Sequence, residues 1–257
     1  WVPHLAKSFT SSEDCKAWTM TLREGINFHD GTPLNAEAVS INFFTQFSDP
    51  LVGLAVRPYY ASADDALEIV DDLTVTYNLA DSNCSFPSSL TGQLGATASP
   101  TWLAEALEDP TLDQQPVGTG PFIFESRTED SVTTFVRNEN YWDGDVYLDA
   151  VEFYPVTDGA VRTQLLLEGE LDALATTDVE SISRLAEEDS ITQVFDDTGD
   201  ESFLMLNSQS APFDDIRARQ AMTHATPRDN YNTLINLDVT TKTDQMFTAD
   251  SPYFNED

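Results

Sequence analysis

The side chains with the widest chemical repertoire are few: His4, His29 and His224, with Cys15 and Cys84. No histidine has a ligand-type partner at helical spacing, and no His, Cys and carboxylate cluster offers the converging donors of a zinc site. His29 stands beside Asp30 and Gly31, a setting that reads as a hydrogen-bonded turn rather than a general base. The strained Gly-x-Ser-x-Gly elbow that exposes a hydrolase nucleophile is absent. Gly118-Thr119-Gly120 starts like a dinucleotide fingerprint but continues into Pro121-Phe122, losing the third glycine and the helix that would face a pyrophosphate. Carboxylate pairs occur throughout and single out no acid–base couple. The residues predict neither a metal, nor a cofactor, nor an enzyme.

That abundance of carboxylates is itself informative. Among 257 residues, 45 Asp and Glu face 12 Lys and Arg, a formal charge of −33. A nucleic-acid binder needs a basic face to release counterions, and so does a surface that docks on anionic lipid. Both classes are excluded. An acidic, solvated, monomeric surface is expected, of the kind that salt screening makes tolerable. Hydrophobic residues at 40% allow a substantial core, yet no stretch reaches the roughly 18 uncharged apolar residues of a membrane helix.

The cysteines depend on the elements around them. Trp18-Thr19-Met20-Thr21-Leu22 and Val75-Thr76-Tyr77-Asn78-Leu79 both alternate apolar and polar, the period of half-buried strands. Paired antiparallel with Met20 near Tyr77 or Leu79, they bring Cys15 within about two residues of Cys84. This predicts a disulfide, and with it an extracytoplasmic protein; two unrelated buried thiols are the alternative.

Further elements follow from caps and periodicity. Asn35 caps a helix over 36–47 with Val39, Phe43 and Phe47 on its apolar stripe. Short helices are expected over 63–67 and 101–107, and strands after the glycine-rich turn at 117–121 and over 132–137 and 151–156. Helices follow over 158–168, closed by Gly169, and over 179–187, with a buried strand at 171–174 between them. A strand over 203–207, a helix over 216–224 and a last helix reaching Ile235, capped by Thr226, complete a mixed α/β pattern without internal repeats.

Several of these stretches form an ordered set. WTMTLREGINFHDGTPLNAEAV, VGTGPFIFES, VRNENYWDG, LDAVEFYPVTDGAVRTQLLLEGELDAL and FLMLNSQSAPFDDIRARQAM occur in one order over nearly the whole chain. Together they resemble the family 5 extracellular solute-binding proteins of ABC importers, receptors for peptides, nickel complexes and oligosaccharides. The resemblance implies a bilobed periplasmic-binding-protein fold of type II (cluster C). Residues 1–96 would form an extra subdomain on lobe one, 97–175 the core of that lobe, and 176–257 the start of an incomplete lobe two. Family members are longer, so Trp1 and Asp257 are expected to be ends of a piece, with the signal sequence outside it. One departure is Thr226-Pro227-Arg228, where the family has an Asp-Arg pair, which blurs a helix boundary.

By the same resemblance the protein would be an extracytoplasmic receptor, in the periplasm or on the cell surface. It would bind a small, peptide-like solute between its lobes and pass it to the membrane permease subunits. Tyr59 and Tyr60 match a segment that carries a cleft aromatic, Glu201, Ser202 and Phe203 the strand entering lobe two, and Gly118 and Thr119 a loop facing the cleft. Core packing is the competing role for Tyr60 and Phe203, and Arg57 reads as a surface partner or an anion contact. A secreted hydrolase would need a nucleophile and base that the residues do not assemble; an acidic structural or adhesion module would fit the acidity and the disulfide but not the order of the motifs.

Overall fold

The computed structural model describes residues 1–195, 203–243, 245, 247, 254 and 255. The chain falls into two compact units, Trp1–Pro155 and Val156–Asp257. The first contains strands β1 (Ala6–Ser11), β2 (Ala17–Leu22), β3 (Leu67–Asp71) and β4 (Thr74–Asn78), with helices α1 (Ala36–Ser48), α2 (Val52–Val56), α3 (Phe86–Ser89) and α4 (Pro100–Glu108). It also holds β5 (Phe122–Thr128), β6 (Val132–Arg137) and β7 (Ala150–Phe153), which form a separate antiparallel sheet in that order. The second unit contains α5 (Gly159–Leu167), α6 (Val179–Leu185), α7 (Ile216–Ala225) and α8 (Arg228–Ile235).

The larger sheet runs β1-β2-β4-β3, all antiparallel. Alternation sends Trp18 and Leu22 of β2, and Val75 and Tyr77 of β4, to one face, where each is buried. Phe86 is the hub of that core: the rings of Tyr77, Tyr59, Phe9, Tyr60 and Trp18 all lie 5.5–6.4 Å from it, at offset or edge-on angles. Helix α1 lies on the same face. Asn35 starts it by accepting the Ala38 N–H at 2.9 Å. Buried Asn42 joins it to the chain before α4 by donating to the Ala98 carbonyl at 2.7 Å and accepting the Ala98 N–H at 2.8 Å.

The Trp18 and Thr74 strands pair antiparallel as expected, but two residues from one expected register and four from the other: Met20 lies opposite Val75, not Tyr77 or Leu79, and Trp18 opposite Tyr77. Cys15 and Cys84 still form a disulfide, with Cα atoms 5.0 Å apart. The chain beyond β4 turns back, so that the Asn83 N–H reaches the Cys15 carbonyl and the Asn83 carbonyl accepts the Trp18 indole N–H. The loop closes through that turn rather than through the ladder.

Other expectations are corrected. Residues 63–67 form no helix: the Ala66 N–H turns onto the Ala63 carbonyl and the chain enters β3, whose ladder with β4 takes the backbone groups a helix would need. The expected strand at 151–156 ends at Phe153. No strand forms at 171–174, because the Glu170 and Leu171 N–H groups close the end of α5 on the Leu165 carbonyl, with Gly169 at φ +77° making the turn. No strand forms at 203–207, and no strand of the second unit occurs among the described residues. Thr226 caps the end of α7 through the Met222 carbonyl, and Pro227 opens α8.

The two units differ in what they bury. Helices α5 and α6 meet through a buried hydroxyl pair, Thr163 to Ser181 at 2.8 Å, and Leu185 is the one fully buried large apolar residue described in the second unit. Ile216, Tyr231, Leu234 and Ile235 are more than half exposed. Backbone protection follows burial of this kind. Amides of α7 and α8 are therefore expected to exchange with deuterium well before those of β2 and β4; equal protection would show that the second unit buries its apolar faces in solution. Cutting the 69-residue loop by Cys15→Ala with Cys84→Ala is expected to cost about 4 kcal/mol by the loop-entropy relation. Urea unfolding of oxidised protein against the double variant measures it.

Candidate functional site

Residues 117–121 connect the α4 region to the small sheet, and every carbonyl in this loop is held. Val117 accepts the Ser99 N–H at 2.9 Å, Gly118 the His29 N–H at 2.9 Å, and Pro121 the Asn138 N–H at 2.8 Å. Thr119 accepts the Trp142 indole at 3.2 Å. Gly120 takes a double load, from His29 Nε2 and Asn138 Nδ2, each at 3.0 Å. His29 is thus the turn residue expected, with its partner 91 residues away. The turn is itself secured, since the Phe28 N–H reaches the Thr32 carbonyl and Gly31, at φ +85°, donates back to Phe28.

Asp30 and Ser99 extend this knot. The fully buried Ser99 hydroxyl donates to Asp30 Oδ2 and also caps α4 at the Trp102 N–H. Desolvation opposes the Asp30 charge, but the Ser99 hydroxyl and the Thr32 N–H outweigh it and hold its pKa below the ordinary carboxylate value. With its carbonyls occupied, the loop's remaining polar groups are its N–H donors and the hydroxyl of Thr119, which is itself buried. A Cβ at Gly118 or Gly120 would meet nothing within 4 Å, so that backbone is approachable.

Tyr59 and Tyr60 sit elsewhere in the same unit, on the wall of a cavity of about 450 Å³. Tyr60 is buried, edge-on to Phe43 at 5.2 Å, and belongs to the aromatic core; burial pushes its hydroxyl pKa up. Tyr59 is half-buried at the cavity edge. Gly118 and Thr119 are not part of that wall. Arg57 stays exposed, and its guanidinium donates to the Phe47 and Asp49 carbonyls at the end of α1. Phe203 is 65% exposed in the second unit, and Glu201 and Ser202 lie outside the described residues. No group of three or more potential metal ligands occurs among the described residues. The clamps made by Asn42, Asn138 and Trp142 were not foreseen, because single polar residues give no sign of a partner so distant in sequence.

Residues 1–257 match the family described as bacterial extracellular solute-binding proteins, family 5 Middle. The chain belongs to this family. It is 30% identical over 243 residues to heme-binding protein A of Haemophilus influenzae, covering 87% of this chain and 44% of that one. It is 27% identical to the dipeptide-binding protein of Escherichia coli, covering 89% of this chain and 46% of the relative. Its fold matches the dipeptide-binding protein of a Pseudoalteromonas species in complex with Met-Leu, with a TM-score of 0.68, 27% identity and coverage of 90% of this chain and 49% of that one. The chain spans about half the length of these family members.

The knot makes a stability prediction. Ser99→Ala removes a helix cap and a buried hydrogen bond and is expected to cost about 1–2 kcal/mol at neutral pH. Because the folded Asp30 pKa is depressed, its contribution is present above the ordinary carboxylate value and lost as pH falls through the folded one. The gap between wild type and variant should therefore narrow in urea titrations at acid pH. A gap that stays constant would remove Asp30 from the account.

Proposed function

We propose that this family 5 chain is part of an extracytoplasmic receptor of an ABC importer, which binds a small, peptide-like solute and presents it to the membrane permease. Membership of the family over all 257 residues carries the reading. The relatives named as dipeptide-binding support the solute class. In the lobe scheme, 1–96 is the extra subdomain, 97–175 the core of lobe one and 176–257 the beginning of lobe two. Solute would lie between the lobes, and closure around it would be what the permease reads.

Of the positions on the first unit, Tyr59 is the best suited to touch solute, because it is only partly buried and stands on a concave wall. The Gly118–Thr119 loop is a second contact, offering donors to the carbonyl and carboxylate oxygens of a peptide. Residues 201–203 would contribute from lobe two.

A site between two walls draws affinity from both. If each wall supplies half of a micromolar binding energy, loss of one removes about 4 kcal/mol and leaves about millimolar affinity. Calorimetry with the dipeptide Met-Leu should show this difference between a receptor of the relatives' length and residues 1–257. In the longer receptor Tyr59→Ala is expected to weaken binding about tenfold, or about 1.4 kcal/mol. Equal affinity of the two chains would place the whole site within residues 1–257, and an unaffected Tyr59→Ala would move the aromatic contact elsewhere.

A further inference from the structure

Tyr59 is held only weakly by its own element. It closes a single turn, Arg57–Tyr59, that follows the five-residue helix α2. Helices this short do not sustain themselves, so their geometry comes from what they pack against. Two of the contacts that place Tyr59 come from one stretch, residues 80–86. The Ala80 N–H donates to the Tyr59 carbonyl at 2.9 Å, and the Phe86 ring stands edge-on to the Tyr59 ring at 5.9 Å.

That stretch has no regular structure of its own before Phe86. Strand β4 ends at Asn78, and α3 has only four residues. Its ties converge instead on the chain between β1 and β2. The Leu79 N–H reaches the Lys16 carbonyl at 2.7 Å, and the Asn83 N–H reaches the Cys15 carbonyl at 3.1 Å. The Lys16 ammonium donates to the Ala80 carbonyl at 3.1 Å, and the Trp18 indole to the Asn83 carbonyl. Asp81, Ser82, Cys84 and Ser85 are exposed, so water competes for hydrogen bonds here and each has a small net value. The Cys15–Cys84 disulfide is the one covalent tie among these, and it is not open to that competition. Cys84 stands between Ala80 and Phe86, the two residues that hold Tyr59.

We propose that the Cys15–Cys84 disulfide is a positioning element for solute binding: it holds residues 80–86 so that Ala80 and Phe86 keep Tyr59 at the concave wall. The inference rests on the reading of Tyr59 as a solute contact. Without the link, residues 80–86 fray from Lys16 and Cys15, and Tyr59 leaves its place for part of the time. Apparent affinity then falls with the fraction of molecules that still present the contact. Because the disulfide acts through Tyr59, its loss costs no more than loss of the ring, about tenfold. A disulfide with a purely structural role lowers stability and leaves the affinity of the folded protein unchanged.

The test is a double-mutant cycle on a receptor of the relatives' length, read by calorimetry with Met-Leu. Cys84→Ser breaks the link and leaves the buried Cys15 as a thiol. It is expected to weaken binding about threefold to tenfold in the parent, and not at all once Tyr59→Ala is present. Equal weakening in both backgrounds, or none in the parent, overturns the proposal and leaves Tyr59 as a contact. An unaffected Tyr59→Ala overturns the reading of Tyr59, and the proposal with it. If Cys84→Ser does not fold, the folded parent is reduced with dithiothreitol, which becomes its cyclic disulfide as the protein gains two thiols. Affinity should then fall, and recover when glutathione disulfide restores the link and is itself reduced to two thiols. Unchanged affinity of the reduced, folded protein overturns the proposal. Amide exchange checks the hold without solute. In residues 1–257 the Ala80 amide is expected to exchange faster on reduction while those of β2 and β4 remain protected. An Ala80 amide as slow as before overturns the proposal.

Discussion

The held carbonyls of residues 117–121 are the constraint on which the first unit's arrangement depends. A five-residue loop with two glycines has many conformations in an unfolded chain, and ordering it costs conformational entropy. Four separate segments offset that cost: the His29 turn, Ser99, Asn138 and Trp142. The two sheets of the unit share no ladder. The loop joins them because its acceptors are claimed from the large-sheet side by His29 and from the small-sheet side by Asn138. If His29 lost its ring contact, Gly120 would keep Asn138, so the redundancy protects the carbonyl that carries two bonds.

How much of this was legible depended on how local each signal was. The Asn35 cap, the β6 strand, the Gly169 terminus and the α7 helix were readable because the deciding residues lie within one turn or strand of each other. Strands β1 and β3 escaped notice as edge strands: β3 carries Glu68 and Asp71, and its Ile69 and Val70 face solvent, so its pattern never looked half-buried. The register error has the same origin. Alternation fixes which face a residue joins, and a shift of two leaves every face unchanged, so the pattern could not separate Val75 from Tyr77 as the partner of Met20.

The candidate site was legible to a smaller extent. The motifs identified the family, and a glycine-rich turn at 118–120 was evident. What could not be read was which aromatic of the Tyr59–Tyr60 pair is available to another molecule. Adjacent residues at the end of a short helix point in different directions, and the structure buries Tyr60 against Phe43 while Tyr59 is only partly buried. Arg57 shows the same limit: its charge suggested an anion or a carboxylate, but its guanidinium donates to two backbone carbonyls at the end of α1.

Arg57 also points to how so acidic a chain holds its shape. Arg23 donates to the His4 carbonyl, Arg162 to Val156 and Arg219 to Phe213, so scarce cations go to backbone acceptors as well as to ion pairs. The carboxylates do the converse. Asp49 accepts the Val52 and Leu51 N–H groups, Asp109 the Thr111 hydroxyl and N–H, and Asp178 the Ser181 hydroxyl and N–H. Each pKa lies below the ordinary carboxylate value because these bonds favour the charged form. Such groups stabilise the fold above that value, and protonation removes the effect as pH falls through the folded pKa. Lowering the pH also relieves the mutual repulsion of the remaining charge, so the two effects oppose each other. Salt separates them: it screens long-range repulsion between exposed carboxylates but reaches short, oriented N–H bonds far less. The acidic surface is thus built from turns and caps that each need a charged Asp, and repulsion among those same charges is the cost it carries.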